Sequence, residues 1–237
     1  MDIITTRIGD LNCQMMGSQT PRRVAILCHG YGAPGTDLVG LGPAMLEREP
    51  ALHDTLFVFP AAPLSLGGPA FSESRAWWEL DVVAIERAMA RGEFREFRTE
   101  VPDGLANARR GLLAVVEEVL RTTGLGMDRL VLGGFSQGAM LATDVTLRLE
   151  EAPAGLCVLS GTLLCEKEWR LRAARRAQLP ILQSHGRQDP ILPFQGAVWL
   201  QEMFEGAGMT VEFHPFDGPH TIPESVLTAT ARFIAKC

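Results

Sequence analysis

Apolar and polar positions along this chain follow two periods in alternation. Apolar runs recur at Val24 to Cys28 (VAILC), Thr55 to Phe59 (TLFVF), Leu130 to Leu132 and Gly155 to Leu159 (GLCVL), followed by more mixed strand patterns at Ile181 to Ser184 and Thr210 to Phe216 (TVEFHPF). Their length and their β-branched or aromatic content suit buried strands. Between them the period lengthens to that of a helix face. Leu38, Leu41, Met45 and Leu46 precede Pro50, and Leu141, Val145 and Leu149 precede Pro153, each proline closing its helix. Further helical patterns cover 103–123, 194–207 and 222–235. Residues 2–17 alternate loosely about Gly9-Asp10, which predicts an antiparallel hairpin at a sheet edge. Strands alternating with helices imply βαβ crossovers, so the expected fold class is α/β, with a mostly parallel central sheet covered on both faces. One domain over 1–237 is the simplest organisation, and the chain shows neither an internal repeat nor a low-complexity tract.

One connection is too long to be passive. From Pro60 to Pro102 no run suits a sheet strand, whereas connections normally span a handful of residues. Its first part carries Leu64, Leu66, Phe71, Trp77 and Trp78 among glycines and prolines. Its second, Val82 to Arg98, sets Val82, Ile85 and Met89 on one helical face and mixes both charge signs on the other, so it reads as a solvated helix rather than a membrane-binding one. A loop and short helix over a site entrance are expected.

The site itself is expected at the apolar run that ends in Gly134-Phe135-Ser136-Gln137-Gly138, a G-x-S-x-G sequence between a strand pattern and a helix pattern. At such a corner a serine hydroxyl is pushed outward on strained backbone, and the positions two residues away must be nearly free of side chain. Ser136 is thus the candidate nucleophile. The first N–H groups of the following helix, including that of Gln137, point to where an oxyanion would form. A serine needs a base, most often an imidazole oriented by a carboxylate. His53 precedes a strand and His214 lies within one, which reads as structural; His185 ends the fifth strand; His220 follows the sixth, in Asp217-Gly218-Pro219-His220. In sheets of this class the acid and then the histidine follow the serine, each after a later strand, which makes His220 the base and Asp189 the acid, with Asp217 as rival. His29-Gly30-Tyr31-Gly32, after the first strand, is placed to give the second oxyanion donor through the Tyr31 N–H, with His29 shaping the loop.

Composition narrows the partners. The net charge of −6 comes from 28 acidic and 22 basic side chains scattered along the chain, which argues against a nucleic-acid partner. Neither the N-terminus nor any later segment suits a signal peptide or a membrane span, so a cytoplasmic protein without stable membrane insertion is expected; a homodimer is compatible with it. Five cysteines lack C-x-x-C spacing and suggest neither a disulfide framework nor a zinc site. Cys28 and Cys157 lie inside apolar runs as small hydrophobes.

With these residues in place the chain resembles the carboxylesterase and acyl-protein thioesterase group (phospholipase/carboxylesterase) of the α/β-hydrolase superfamily. The carrying segments are Leu27 to Gly32 (LCHGYG), Arg75 to Trp78 (RAWW), Gly133 to Ala139 (GGFSQGA), Ser184 to Pro190 (SHGRQDP) and Gly218-Pro219-His220. The resemblance implies Ser136, Asp189 and His220 as triad, Tyr31 and Gln137 as oxyanion donors, no cofactor or metal, and no large cap domain. It departs at Tyr31, where relatives often carry leucine, and at the longer connection from Glu79 to Val101. The expected substrate is a small ester of short to medium acyl chain, with Phe71, Trp77 and Trp78 at the pocket rim. A long-chain acyl-protein thioesterase or lysophospholipase is the alternative, and a peptidase using the same residues or a non-catalytic receptor for a small ester or lactone are others.

Overall fold

The apolar runs lie side by side. The computed structural model describes residues 2–67, 73–81, 87 and 97–237, and among these an eight-stranded sheet runs in the order β1-β2-β4-β3-β7-β8-β9-β10. Its strands are β1 (Ile4–Ile8), β2 (Leu11–Gly17), β3 (Arg23–Cys28), β4 (Thr55–Pro60), β7 (Leu130–Phe135), β8 (Gly155–Leu159), β9 (Pro180–Gly186) and β10 (Thr210–Phe216). The β1–β2 hairpin sits at one edge and β2 pairs antiparallel with β4, while every pairing from β4 to β10 is parallel. The hairpin expected over 2–17 is therefore present, and so is the mostly parallel sheet.

Helices cover both faces, which is why the central strands read as unbroken apolar runs. Val24, Ile26 and Cys28 of β3 face one core with α2 (Leu105–Thr123), α3 (Gln137–Arg148), α4 (Glu166–Ala173) and α5 (Phe194–Gly206). Ala25 and Leu27 face the other, with α1 (Leu41–Arg48) and α6 (Glu224–Lys236). Successive side chains of a strand point to opposite faces, and here both directions are apolar.

Two elements depart from the sequence pattern. The short helix α4, EKEWRLRA, buries only Trp169 and Ala173, so it carries no apolar period to detect. It is docked from outside: the Trp169 indole N–H donates to the buried Asp144 carboxylate at 2.9 Å, which also accepts from Arg109 at 2.5 Å and Arg148 at 3.1 Å. Within the long connection, β5 (Leu64–Ser65) and β6 (Arg75–Ala76) form a two-stranded ribbon apart from the main sheet. The helix expected over Val82 to Arg98 lies largely outside the described residues. No helix among them is long and apolar enough to cross a membrane.

Candidate active site

Ser136 stands between β7 and α3 with φ 55° and ψ −120°, a conformation that non-glycine residues adopt only where the surroundings enforce it. The enforcement is steric. A Cβ on Gly134 would lie 2.5 Å from the Cys28 carbonyl oxygen and 2.6 Å from the Gly138 carbonyl carbon, and one on Gly138 would lie 2.1 Å from the same Cys28 oxygen. Only glycine at both positions lets the turn press this closely on the end of β3. The N–H of Gln137, in the first turn of α3, has no carbonyl one turn back to bond and is left for the site.

The loop after β3 is braced from beneath. His29 is 2% exposed; its Nδ1 lies 2.8 Å from the Gly30 carbonyl and its Nε2 accepts the Ala62 N–H at 3.0 Å. A carbonyl on one side and a donor on the other assign the proton to Nδ1. Burial pushes the imidazole's pKa down, in keeping with that neutral form. The Gly32 N–H donates to Arg75 O and the Arg75 N–H to Ala33 O, which ties the loop to β6. Trp77, expected at the pocket rim, is instead 1% exposed beneath this loop, its indole N–H donating to His29 O at 2.8 Å. A buried indole needs a carbonyl, and the strand end supplies one.

The Gln137 side chain, fully buried, bridges two consecutive residues of that segment: its Oε1 accepts the Trp77 N–H and its Nε2 donates to Trp78 O, both at 2.9 Å. No pattern in the sequence signals this bridge, because its partners lie about sixty positions away. Gln137→Leu keeps the volume and the backbone N–H but orphans a buried N–H and a buried carbonyl. Stability is expected to fall by about 2–4 kcal/mol in chemical denaturation.

Asp189 and His220, expected as acid and base, meet across the ends of β9 and β10. His220 Nδ1 lies 2.5 Å from Asp189 Oδ2, and the imidazole packs on the Phe135 ring with centroids 4.7 Å apart. Asp189 is 6% exposed, and its Oδ1 accepts the N–H groups of Ile191 and Leu192 at 2.9 Å each. Burial alone would raise its pKa, but hydrogen bonds from His185 and His220 and the Leu192 N–H outweigh it and hold the carboxyl far below the usual range. The rival Asp217 lies at the surface, 3.7 Å from Arg187. Two backbone bonds lock the turns together, Arg187 N–H to Phe216 O and Gln188 N–H to Gly218 O. His53 and His214 lie elsewhere, bonded to Pro50 O and the Glu212 carboxylate.

Ser136 and His220 share a pocket of about 390 Å³ with Gly30, Tyr31, Gln137 and Trp78. Leu80, Phe97, Met140, Leu164 and Ile191 make its wall apolar. Those five come from five separate stretches of chain, so no local pattern groups them. Phe71, the third expected rim residue, lies outside the described residues. Burial and the nearby Glu79 push the Tyr31 phenol's pKa up, so it stands in the pocket as a neutral hydroxyl.

A model of the phospholipase/carboxylesterase family matches residues 15–237. The chain belongs to that family. It is a serine hydrolase of the α/β-hydrolase fold. Acyl-protein thioesterase 1 of Saccharomyces cerevisiae is 26% identical over 228 residues, covering 92% of this chain and 94% of that protein. The Kluyveromyces lactis protein of the same name is 28% identical over 191 residues, covering 79% and 78%. Among solved structures, esterase PE8 superposes with a TM-score of 0.79 at 28% identity over 95% of this chain and 98% of that one. A carboxylesterase from Mesorhizobium loti gives 0.73 over the full length of both chains at 15% identity, a likeness of fold. As a member of the phospholipase/carboxylesterase family, the chain shows no large cap domain among its described residues.

Proposed function

We propose that this chain is a carboxylesterase that cleaves small esters of short to medium acyl chain through an acyl-enzyme. The observation that carries the reading is the apolar pocket of about 390 Å³ that both Ser136 and His220 line, with a buried carboxylate 2.5 Å behind the imidazole. Its volume lies toward the lower end of the range for small-molecule sites.

Ser136 Oγ attacks the ester carbonyl carbon while His220 Nε2 takes its proton. The carbonyl oxygen, now negative, is held by the N–H groups of Tyr31 and Gln137. His220 returns the proton to the leaving alcohol, and the acyl group stays on Ser136. Water then attacks that acyl carbon, again giving its proton to His220, and as the Ser136 Oγ–acyl bond breaks His220 returns that proton to Oγ and the acid is released. Asp189 keeps the imidazole in the Nδ1–H tautomer and stabilises its charged form.

A second reading, a long-chain acyl-protein thioesterase, draws support from the names of the relatives. Matched oxygen esters and thioesters from acetyl to palmitoyl separate the two. The expected result is a kcat/KM maximum on short to medium oxygen esters; a maximum on long-chain thioesters would replace the first reading with the second.

A further inference from the structure

Among the described residues, four donors face the Asp189 carboxylate, and His220 is one of them. Two are the backbone N–H groups on Oδ1. The fourth is His185, whose Nε2 lies 3.2 Å from Oδ2, the oxygen that also faces His220. His185 is fully buried near the end of β9, and the same Nε2 lies 2.7 Å from the Leu192 carbonyl. Both neighbours of Nε2 are acceptors, so that nitrogen carries the proton and shares it between them.

The rest of the ring gains little. Nδ1 is buried and has no hydrogen-bond partner among the described residues, and an orphaned buried polar atom lowers stability. The ring makes an edge contact with Phe194, with centroids 6.1 Å apart, and its polar contribution is one N–H. That N–H closes a ring of bonds. Leu192 gives its N–H to Oδ1 and its carbonyl to His185, while His185 gives its N–H to Oδ2. A carboxylate tied at both oxygens cannot rotate, so the lone pair facing His220 stays aimed.

We propose that His185 is a positioning residue for the acid, fixing the rotation of the Asp189 carboxylate and through it the orientation of the His220 imidazole. The inference rests on the roles proposed above for Ser136, His220 and Asp189. The titratable or charged groups linked to this ring by contacts are Asp189 itself, His220 on the same Oδ2, and Arg187, which lies over the Phe194 ring at 5.0 Å.

Three variants test it on the full chain with an oxygen-ester substrate. His185→Leu removes the N–H, His185→Gln places an amide N–H near the position of Nε2, and His185→Asn ends its amide near Nδ1, out of reach of the carboxylate. His185→Leu is expected to lose about 10²-fold in kcat with KM unchanged, as misorientation of a catalytic group does. His185→Gln is expected to recover most of that loss and His185→Asn to recover none. Wild-type kcat in folded His185→Leu would overturn the proposal, as would equal kcat in the Gln and Asn variants, a comparison that decides even where the Leu variant does not fold. Asp189→Asn is run alongside. If it keeps full turnover the acid assignment fails on its own, and if it loses turnover while His185→Leu does not, only the role of His185 falls.

Discussion

Ser136→Ala is expected to lower ester turnover by about 10⁴- to 10⁶-fold, equivalent to roughly 5–8 kcal/mol of transition-state stabilisation. The loss is that large because the serine and the imidazole act as a unit, so removing the nucleophile also idles the base. The variant keeps the N–H groups of Tyr31 and Gln137, so a residual rate above that of water is expected from the oxyanion site alone. Two measurements check it: kcat on a chromogenic ester, and intact mass after a fluorophosphonate, which should add one group to the wild type and none to the variant. Turnover at the wild-type level would remove Ser136 from the chemistry.

Asp189→Asn is expected to lower kcat by about 10³- to 10⁴-fold. An ionised carboxylate accepts on every side, and here all four facing groups are donors. A carboxamide turned either way sets its NH2 against donors, either the Ile191 and Leu192 N–H pair or the two imidazoles. The 189–192 turn then opens or His220 changes tautomer, and both spoil the base. Stability follows a definite sign. The folded-state pKa of Asp189 is depressed, so its contribution is fully present above the unfolded carboxyl value near ~3.9 and is lost as pH falls through the lower folded value. Denaturation of both proteins against pH should show the wild type's advantage constant above about pH 5 and shrinking on acidification below about pH 4. Asp217→Asn should stay near wild type, because its surface contact with Arg187 is screened by solvent. Loss of turnover in that variant alone would move the acid there.

The elbow is legible in the sequence because two physical demands coincide within a few residues: bare backbone at Gly134 and Gly138, and a change of period from strand to helix about Ser136. Asp189 and His220 are legible because a parallel sheet puts its strand ends on one side, so a residue just past a run such as Ile181 to Ser184 is already near the site. What escapes is whatever depends on contacts between distant segments. Trp77 reads as pocket rim from its neighbours, yet the need of its indole for the His29 carbonyl draws it beneath the loop. The Gln137 side chain escapes for the same reason, since its amide partners belong to the long connection. The helix α4 is hidden because its support, Asp144, lies on another helix. Fold class survives such blindness because strand runs are local, whereas pocket shape does not.

The close crossing at Gly138 also sets how the site is held. With the elbow pressed on the Cys28 carbonyl, Ser136 and the 29–32 loop are both rooted in the paired strands β3 and β7. A Cβ on Gly186 would lie 2.3 Å from the Gly218 carbonyl oxygen, so the turns that carry Asp189 and His220 are likewise pressed together at the ends of the paired strands β9 and β10. The two sets of turns lie on either side of β8, with the Phe135 ring of β7 tilted 44° to the His220 imidazole at 4.7 Å between centroids. Because β8 is hydrogen-bonded to both β7 and β9, the two sets of turns hang from one continuous sheet, and the spacing of Ser136 from His220 is set by strand pairing rather than by the loops themselves.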